Sequence, residues 1–525
     1  MVPTLLAAAS APPPDVTLSM IIFAPLVGAA VIWALPARTD LERFRVRVTA
    51  LAFTLIPALI ATYEFLSNVA VPTQGALPQP LVNATWVGGF LVTLGYHIGT
   101  DGVNSLPLTA TAVAFPVVVL ASWRQRVRSR FYFSLLLLIE VGVVGDFAAR
   151  DFGLFLVFYL WPAVPASLLL GVFGGEGAHR AARRLLAVWL LGGACLFVGG
   201  LLLAVRTGRH TFSLTALTTP LTLPHGVGEA VFLLLLAAAL ARMALVPLHT
   251  WFVDALGTAS PPVAMAILLS SVPVGGYTLI RVAENAAPLA AIHLATPVLA
   301  LALLSVLWGA LGAYGEPDLR RLAAYAAVSL SGDVALGAVG FSETSLAGSL
   351  YLCVAIALGG GLLLLVAGAL VDRQRVLRLS SLQGCASRAP RLFALWVVGI
   401  ATAAGLPMLA GFPGLYQVFL GTFPGDPLGV AAALLGLLVL AAALWRAAGR
   451  TFLGAPAEGL ERVRDAQGSE WYAAVALVAT LVVFGVAAGR FLGYSVNGTD
   501  LISGRVAAVA PQPATHHPSH GRTHG

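Results

Sequence analysis

Four ionisable side chains stand inside long apolar runs: Glu140 in FSLLLLIEVGVVGDFAARD, Arg242 in FLLLLAAALARMALVPLHTW, His249 just beyond it, and Asp333 in AAVSLSGDVALG. A charge deep in hydrocarbon is costly unless it faces protein or a water-filled cavity, so each marks a candidate functional position. The chemistry open to them is proton handling. Glu and His can change protonation as protons pass, whereas arginine keeps its proton under almost any condition and acts as a fixed charge. Glu140 lies ten residues beyond Arg130, about 15 Å along a helix axis, near mid-membrane. Asp146 and Asp151 follow nearer the far end. The structural alternatives are a static Glu140–Arg242 ion pair, two separately satisfied polar groups, and a histidine that only satisfies a helix break.

The elements that must position these groups are set by composition. The chain of 525 residues is 58% hydrophobic and 10% charged, against about 25% charged for a soluble protein. Its apolar runs are each about 20 residues, the length that crosses a bilayer. The expected fold is therefore an all-α polytopic membrane protein with about fourteen transmembrane helices. All 30 basic residues are arginines, clustered between the apolar runs, which reports membrane topology rather than a nucleic-acid surface. Alternate loops hold twenty-two and seven of them, with Arg242 in the membrane. That asymmetry predicts a multi-pass membrane protein with both termini outside. Cys195, Cys353 and Cys385 lack metal-ligand spacing and read as free thiols. No metal and no cofactor are expected, nor, since MVPTLLAAAS lacks a basic start, a cleaved signal peptide.

Two long segments are interrupted. The seventh, 226–256, holds Pro247, and the twelfth, 392–422, holds Pro407 and Pro413. Proline removes a backbone donor and frees carbonyls that can line a hydrated cavity. The breaks lie five crossings apart, so two five-helix repeats would carry them in inverted orientation, a transporter pattern. The expected layout is 1–130 for helices 1–3 with an outer loop, 131–282 for the first repeat (helices 4–8) and 288–449 for the second (helices 9–13). An inner loop with helix 14 follows at 450–493, then a disordered polar tail at 494–525 containing four histidines. Segments 152–173, 261–282 and 288–314 read as continuous helices.

The stretch RMALVPLHTWFVDALGTASPPVAMAILLSSVPVGGYTLIR resembles the signature of the antiporter-like membrane subunits of respiratory complex I, shared with Mrp-type sodium/proton antiporters. GYHIGTDGVNSLPLTATAVAFPVVVLASW, LLIEVGVVGDFAARDF, DLRRLAAYAAVSLSGDVALG and GLPMLAGFPGLYQVFLGTF extend the resemblance to about residue 493, in the chain M type. It implies a non-catalytic subunit of a proton-translocating NADH-quinone oxidoreductase, beside other membrane-arm subunits in the lipid bilayer. It would move protons or sodium, with neither a redox cofactor nor nucleic acid. In that family a proton path runs through buried Glu and Lys residues at broken helices. Glu140 and His249 match their family positions. Arg242 stands where a lysine belongs, and Leu160, Pro273 and Leu415 fall on positions that are ionisable in the family. The resemblance thus implies an altered or impaired path, with Glu140, Arg242, His249 and Asp333 as its candidates. Alternatives are a non-conducting structural subunit, or a subunit of an Mrp antiporter, membrane hydrogenase or ion-coupled uptake complex.

Overall fold

Where the helices stop is decided by proline, glycine and a few left-handed residues rather than by hydropathy. In the computed structural model the described residues are 16–70, 82–87, 94–207, 212–214, 223, 226–374, 383–456 and 464–510. Helices α1 (Val16–Ala34), α2 (Asp40–Ala70), α3 (Ser105–Ala121) and α4 (Ser129–Ala148) pack together at the start of the chain. The next crossing is broken into α5 (Phe152–Leu160) and α6 (Ala163–Phe173), and α7 (Ala178–Arg206) lies against both. The seventh segment is α8 (Val227–Met243) and α9 (Thr250–Thr258). The eighth is α10 (Pro261–Leu269), α11 (Val272–Tyr277) and a π-helix, Thr278–Glu284.

The second half holds α12 (Pro288–His293), α13 (Ala295–Gly315), α14 (Leu319–Ala338), α15 (Glu343–Gln374), α16 (Pro390–Ala403), α17 (Gly411–Thr422) and α18 (Pro427–Thr451). It ends with α19 (Ser469–Val486) and α20 (Ala488–Val509). Ten spans among the described residues are long and apolar enough to cross a membrane, and Ser105–Ala121 and Pro390–Ala403 are shorter apolar helices. The chain is thus an integral multi-pass helical membrane protein.

Both expected interruptions are present, made by the same device. After α8, Ala244 takes φ 58° and Pro247 follows; after α16, Gly405 takes φ 68° and Met408 φ 73°, flanking Pro407. Three segments expected as continuous are also broken. Trp161–Pro162 divides 152–173, the Ser270–Ser271 turn ahead of Pro273 divides 261–282, and Leu294 divides 288–314. Proline at 162 and 273 removes the amide that would have continued each ladder.

Two further features lie outside the expected spans. The loop after α2 contains a two-stranded antiparallel hairpin, Val82–Val87 with Leu94–Ile98, a small addition to the helical bundle. Its second strand docks on the α4–α5 turn, where Arg150 N–H donates to the His97 carbonyl at 2.8 Å and Gly99 N–H to that of Ala148 at 3.0 Å. The stretch 494–510, expected within a disordered tail, is mostly helix α20; residues 511–525 lie outside the described residues. Phe491, Leu492, Ser495, Thr499, Ile502 and Val506 form one buried stripe at helical spacing, diluted in sequence by glycine and polar residues. It packs on α2 and α15, with Phe65 against Phe491 at 5.0 Å.

Burial separates the helices by role. The 18-residue windows of α4, of the α10–π segment and of α15 are 89%, 100% and 89% buried, against 28% for α19. The first three are surrounded by protein along most of their length, as is α14, and there polar side chains avoid lipid. The contact of α20 with the α3 entry is backbone to backbone: a Cβ on Gly498 would meet Gly102 Cα at 2.7 Å and Val103 N at 2.8 Å. Gly498→Val should therefore push α20 off the bundle, costing roughly 1–3 kcal/mol. Thermal melting of the detergent-solubilised protein reads this, and an unchanged midpoint would refute the close approach.

Candidate functional site

Arg242 is fully buried in the last turn of α8, where the carbonyl end of the helix favours a cation. Its guanidinium reaches two other breaks. One terminal nitrogen donates to the Ser270 carbonyl at 3.0 Å, at the α10–α11 turn. The other donates to the Tyr159 carbonyl, one turn before Pro162. The group lies between two rings, its Cζ 3.7 Å from the Trp189 centroid and 4.4 Å from that of Tyr159. Tyr159 is held in turn by donating its hydroxyl to the Ala238 carbonyl at 2.8 Å. Cation–π contacts of this kind strengthen when desolvated. One side chain thus joins α5, α7, α8 and α10 through their polar backbone and aromatic faces.

The carboxylate within electrostatic range of Arg242 is Asp146, near the end of α4, not Glu140. No hydrogen bond or ion pair joins Glu140 to Arg242 among the described residues. Glu140, Asp146 and Asp333 are each buried, and their carboxylate oxygens find no hydrogen-bond partner among the described residues. Unpaired burial of this kind is costly. Three of them on α4 and α14 are poor stability devices and reasonable proton-holding groups.

His249 points away from Arg242. The left-handed Ala244 turns the chain, and His249 becomes the N-cap residue of α9, against α13. Trp308 Nε1–H donates to His249 Nε2 at 3.2 Å, and Val246 N–H to Ser305 Oγ at 3.0 Å. An accepted bond at Nε2 assigns the imidazole proton to Nδ1. The break therefore has two sides, with Arg242 toward α5, α7 and α10 and His249 toward α13 and α14.

The three positions at which the resemblance implies ionisable residues are filled with packing. Leu160 enters the notch left by Gly193 of α7, Leu415 covers Gly405, and Pro273 is buried in the first turn of α11. The site holds a buried arginine, and none of these three side chains is ionisable.

Sequence reasoning missed Tyr159 and Trp189, which have no spacing signal, and Asp101. Asp101 forms ion pairs with Arg150 Nη2 at 2.8 Å and Arg281 Nη1 at 2.9 Å, while its carboxylate also caps Val103 and Asn104 N–H. Nearby, Arg505 of α20 donates to Asn285. At the other end Asp254 of α9 takes Arg184 at 2.5 Å and Arg321 at 3.2 Å, and Arg321 also binds Glu316 at 3.2 Å. Two arginines that loop alternation put on one side, Arg184 and Arg321, meet around one acid, and two from the other side, Arg150 and Arg281, around another. Asp101 and Asp254 could have been sought as the acids sharing a loop set with them.

A bundle with two proline-broken helices, buried carboxylates and a buried cation at the first break is that of an ion-translocating membrane subunit. The chain belongs to the NADH:quinone oxidoreductase/Mrp antiporter transmembrane family, which matches residues 149–440. It is 29% identical over 410 residues to NAD(P)H-quinone oxidoreductase chain 4 2 of Microcystis aeruginosa, covering 78% of this chain and 73% of the relative. Its fold is similar to a chain of respiratory complex I from Thermus thermophilus, with TM-score 0.83 and 29% identity over 94% of this chain and 100% of that one. A chain of the Mrp complex from Dietzia sp. DQ12-45-1b shares the fold, with TM-score 0.78, 20% identity and the same coverages.

Arg242→Lys replaces a planar fork serving two carbonyls with one point charge. It should lower stability by roughly 1–3 kcal/mol, as for a lost charged hydrogen bond, read as an earlier melting transition. Burial alone would raise the Asp101 carboxyl, but Arg150 and Arg281 hold it down at about 2, below its ordinary 3.8. A depressed acid stabilises the fold above its unfolded value and loses that stabilisation as pH falls through the folded one. The contribution, roughly 2 kcal/mol, should be complete above about pH 4 and fade toward about pH 2. Melting against pH should show Asp101→Asn less stable at neutral pH, with the difference closing in acid.

Proposed function

We propose that this chain is an antiporter-like membrane-arm subunit of a complex I related quinone oxidoreductase in a bacterial plasma membrane, with an impaired proton path. It binds no redox cofactor, lies beside similar subunits and receives its energy from quinone reduction elsewhere in the assembly. The twenty-two arginines of one loop set support placing that side in the cytoplasm and both termini outside. The two similarly broken helices support repeats over 131–282 and 288–449, and the order of crossings supports the fourteen-segment reading.

The observation that carries the impairment is the seat of Arg242. A group bonded to two carbonyls and stacked between two rings stays charged and stays in place, so it cannot take turns with Glu140 as a proton carrier. Leu160, Pro273 and Leu415 support the same conclusion, since none can hold a proton. Glu140, His249 and Asp333 are the remaining candidates. His249 and Arg242 face opposite sides of the break, which favours a structural subunit that spaces and seals the arm over one with a rerouted path.

The test is the proton-to-electron ratio of the complex reconstituted in proteoliposomes. Glu140→Gln should leave that ratio at the wild-type value. A fall to the ratio of an assembly with one channel removed would overturn the proposal and make Glu140 a working carrier.

A further inference from the structure

The end of α1 and the loop into α4 enclose an open cavity of about 450 Å³ lined by Trp33, Ala37, Arg43, Val127, Phe131 and the turn Arg126, Arg128, Ser129 and Arg130. Four arginines border one space. Asp40 answers Arg43 at 3.3 Å, and Arg130 donates to the Leu35 carbonyl at 3.2 Å. Among the described residues no carboxylate is bonded to Arg126 or Arg128, and Arg126 is close enough to Arg47 to feel its like charge.

The floor of this cavity is the N-terminus of the 20-residue helix α4. Arg128 is its N-cap and gives no side-chain cap, so the first-turn N–H groups carry the positive end of the helix dipole into the cavity. Ser129, 2% exposed, lines the same space, and its hydroxyl has no hydrogen-bond partner among the described residues. Arg128 itself sits at φ 49°, a conformation glycine adopts without penalty and an L side chain does not.

We infer that this cavity binds the phosphate of an anionic phospholipid, with Arg43, Arg126 and Arg128 as counter-charges and Ser129 Oγ and the first-turn amides of α4 as donors. The location points to a lipid rather than a free anion. The cavity opens where the membrane span Val16–Ala34 ends, and Trp33, 56% exposed, is placed as an interfacial anchor. Met20, Phe23, Val27 and Val31 continue below it as an exposed apolar stripe at helical spacing, a track for an acyl chain. Basic pockets between membrane helices recognise acidic headgroups in this way. The inference goes beyond the proposed proton path and does not depend on it.

Native mass spectrometry of the detergent-purified full chain, titrated with phosphatidylglycerol, phosphatidylcholine or inorganic phosphate, tests it. Wild type should retain phosphatidylglycerol over phosphatidylcholine, and inorganic phosphate should not displace it. Arg128→Gly should weaken retention about fivefold, the worth of one arginine near such a charge. It should leave the lipid-free melting midpoint unchanged or higher, because glycine suits the backbone. Ser129→Ala should weaken retention without unfolding, and Arg450→Ala, outside the cavity, should not. Equal retention of the two lipids, displacement by inorganic phosphate, or wild-type retention by Arg128→Gly would each overturn the assignment.

Discussion

The rest of the bundle is arranged around the cost of keeping a guanidinium in a low-dielectric interior. Arg242 has no bonded carboxylate; its charge is met by two carbonyls at helix breaks and two aromatic faces. Those carbonyls exist as acceptors only because α5 stops at Leu160 and α10 at Leu269. The breaks and the charge therefore need each other. Removing either would leave the other as an unsatisfied polar group in hydrocarbon, where each costs several kcal/mol.

How much was legible in the sequence follows from which forces act locally. Spanning segments, arginine alternation and the breaks at Pro247 and Pro407 were readable, because hydropathy and proline leave marks within a few residues. The breaks at Trp161–Pro162 and Ser270–Ser271 were overlooked although Pro162 and Pro273 announce them, since flanking apolar residues outweighed a single proline. The α20 helix was hidden because its buried stripe is short of large residues and rich in glycine between them.

The site was legible in its ionisable members but not in its partners. Arg242, Glu140 and Asp333 stood out as charges in apolar runs. Of the arrangements left open for Glu140 and Arg242, the ion pair is not formed among the described residues, and the acid in range of Arg242 is Asp146, six residues on. Helix rotation decides which acid turns toward the cation, and a spacing rule within one helix does not fix its rotation against another. Trp189 and Tyr159 carry no such mark, since an aromatic residue in an apolar run looks the same whether it stacks on a cation or fills space.

The contact of Gly498 with Gly102 sets a condition on biogenesis. The ribosome delivers α20 after the other described helices have been synthesised, yet its seat is the α2–α3 region, made many crossings earlier. A later part of the chain closes over an earlier one, beside the Asp101 node and the π-helix it steadies. Until synthesis reaches that point, the flank formed by α2 and α15 lacks its cover, and membrane-insertion machinery or neighbouring lipids must shield it in the interval.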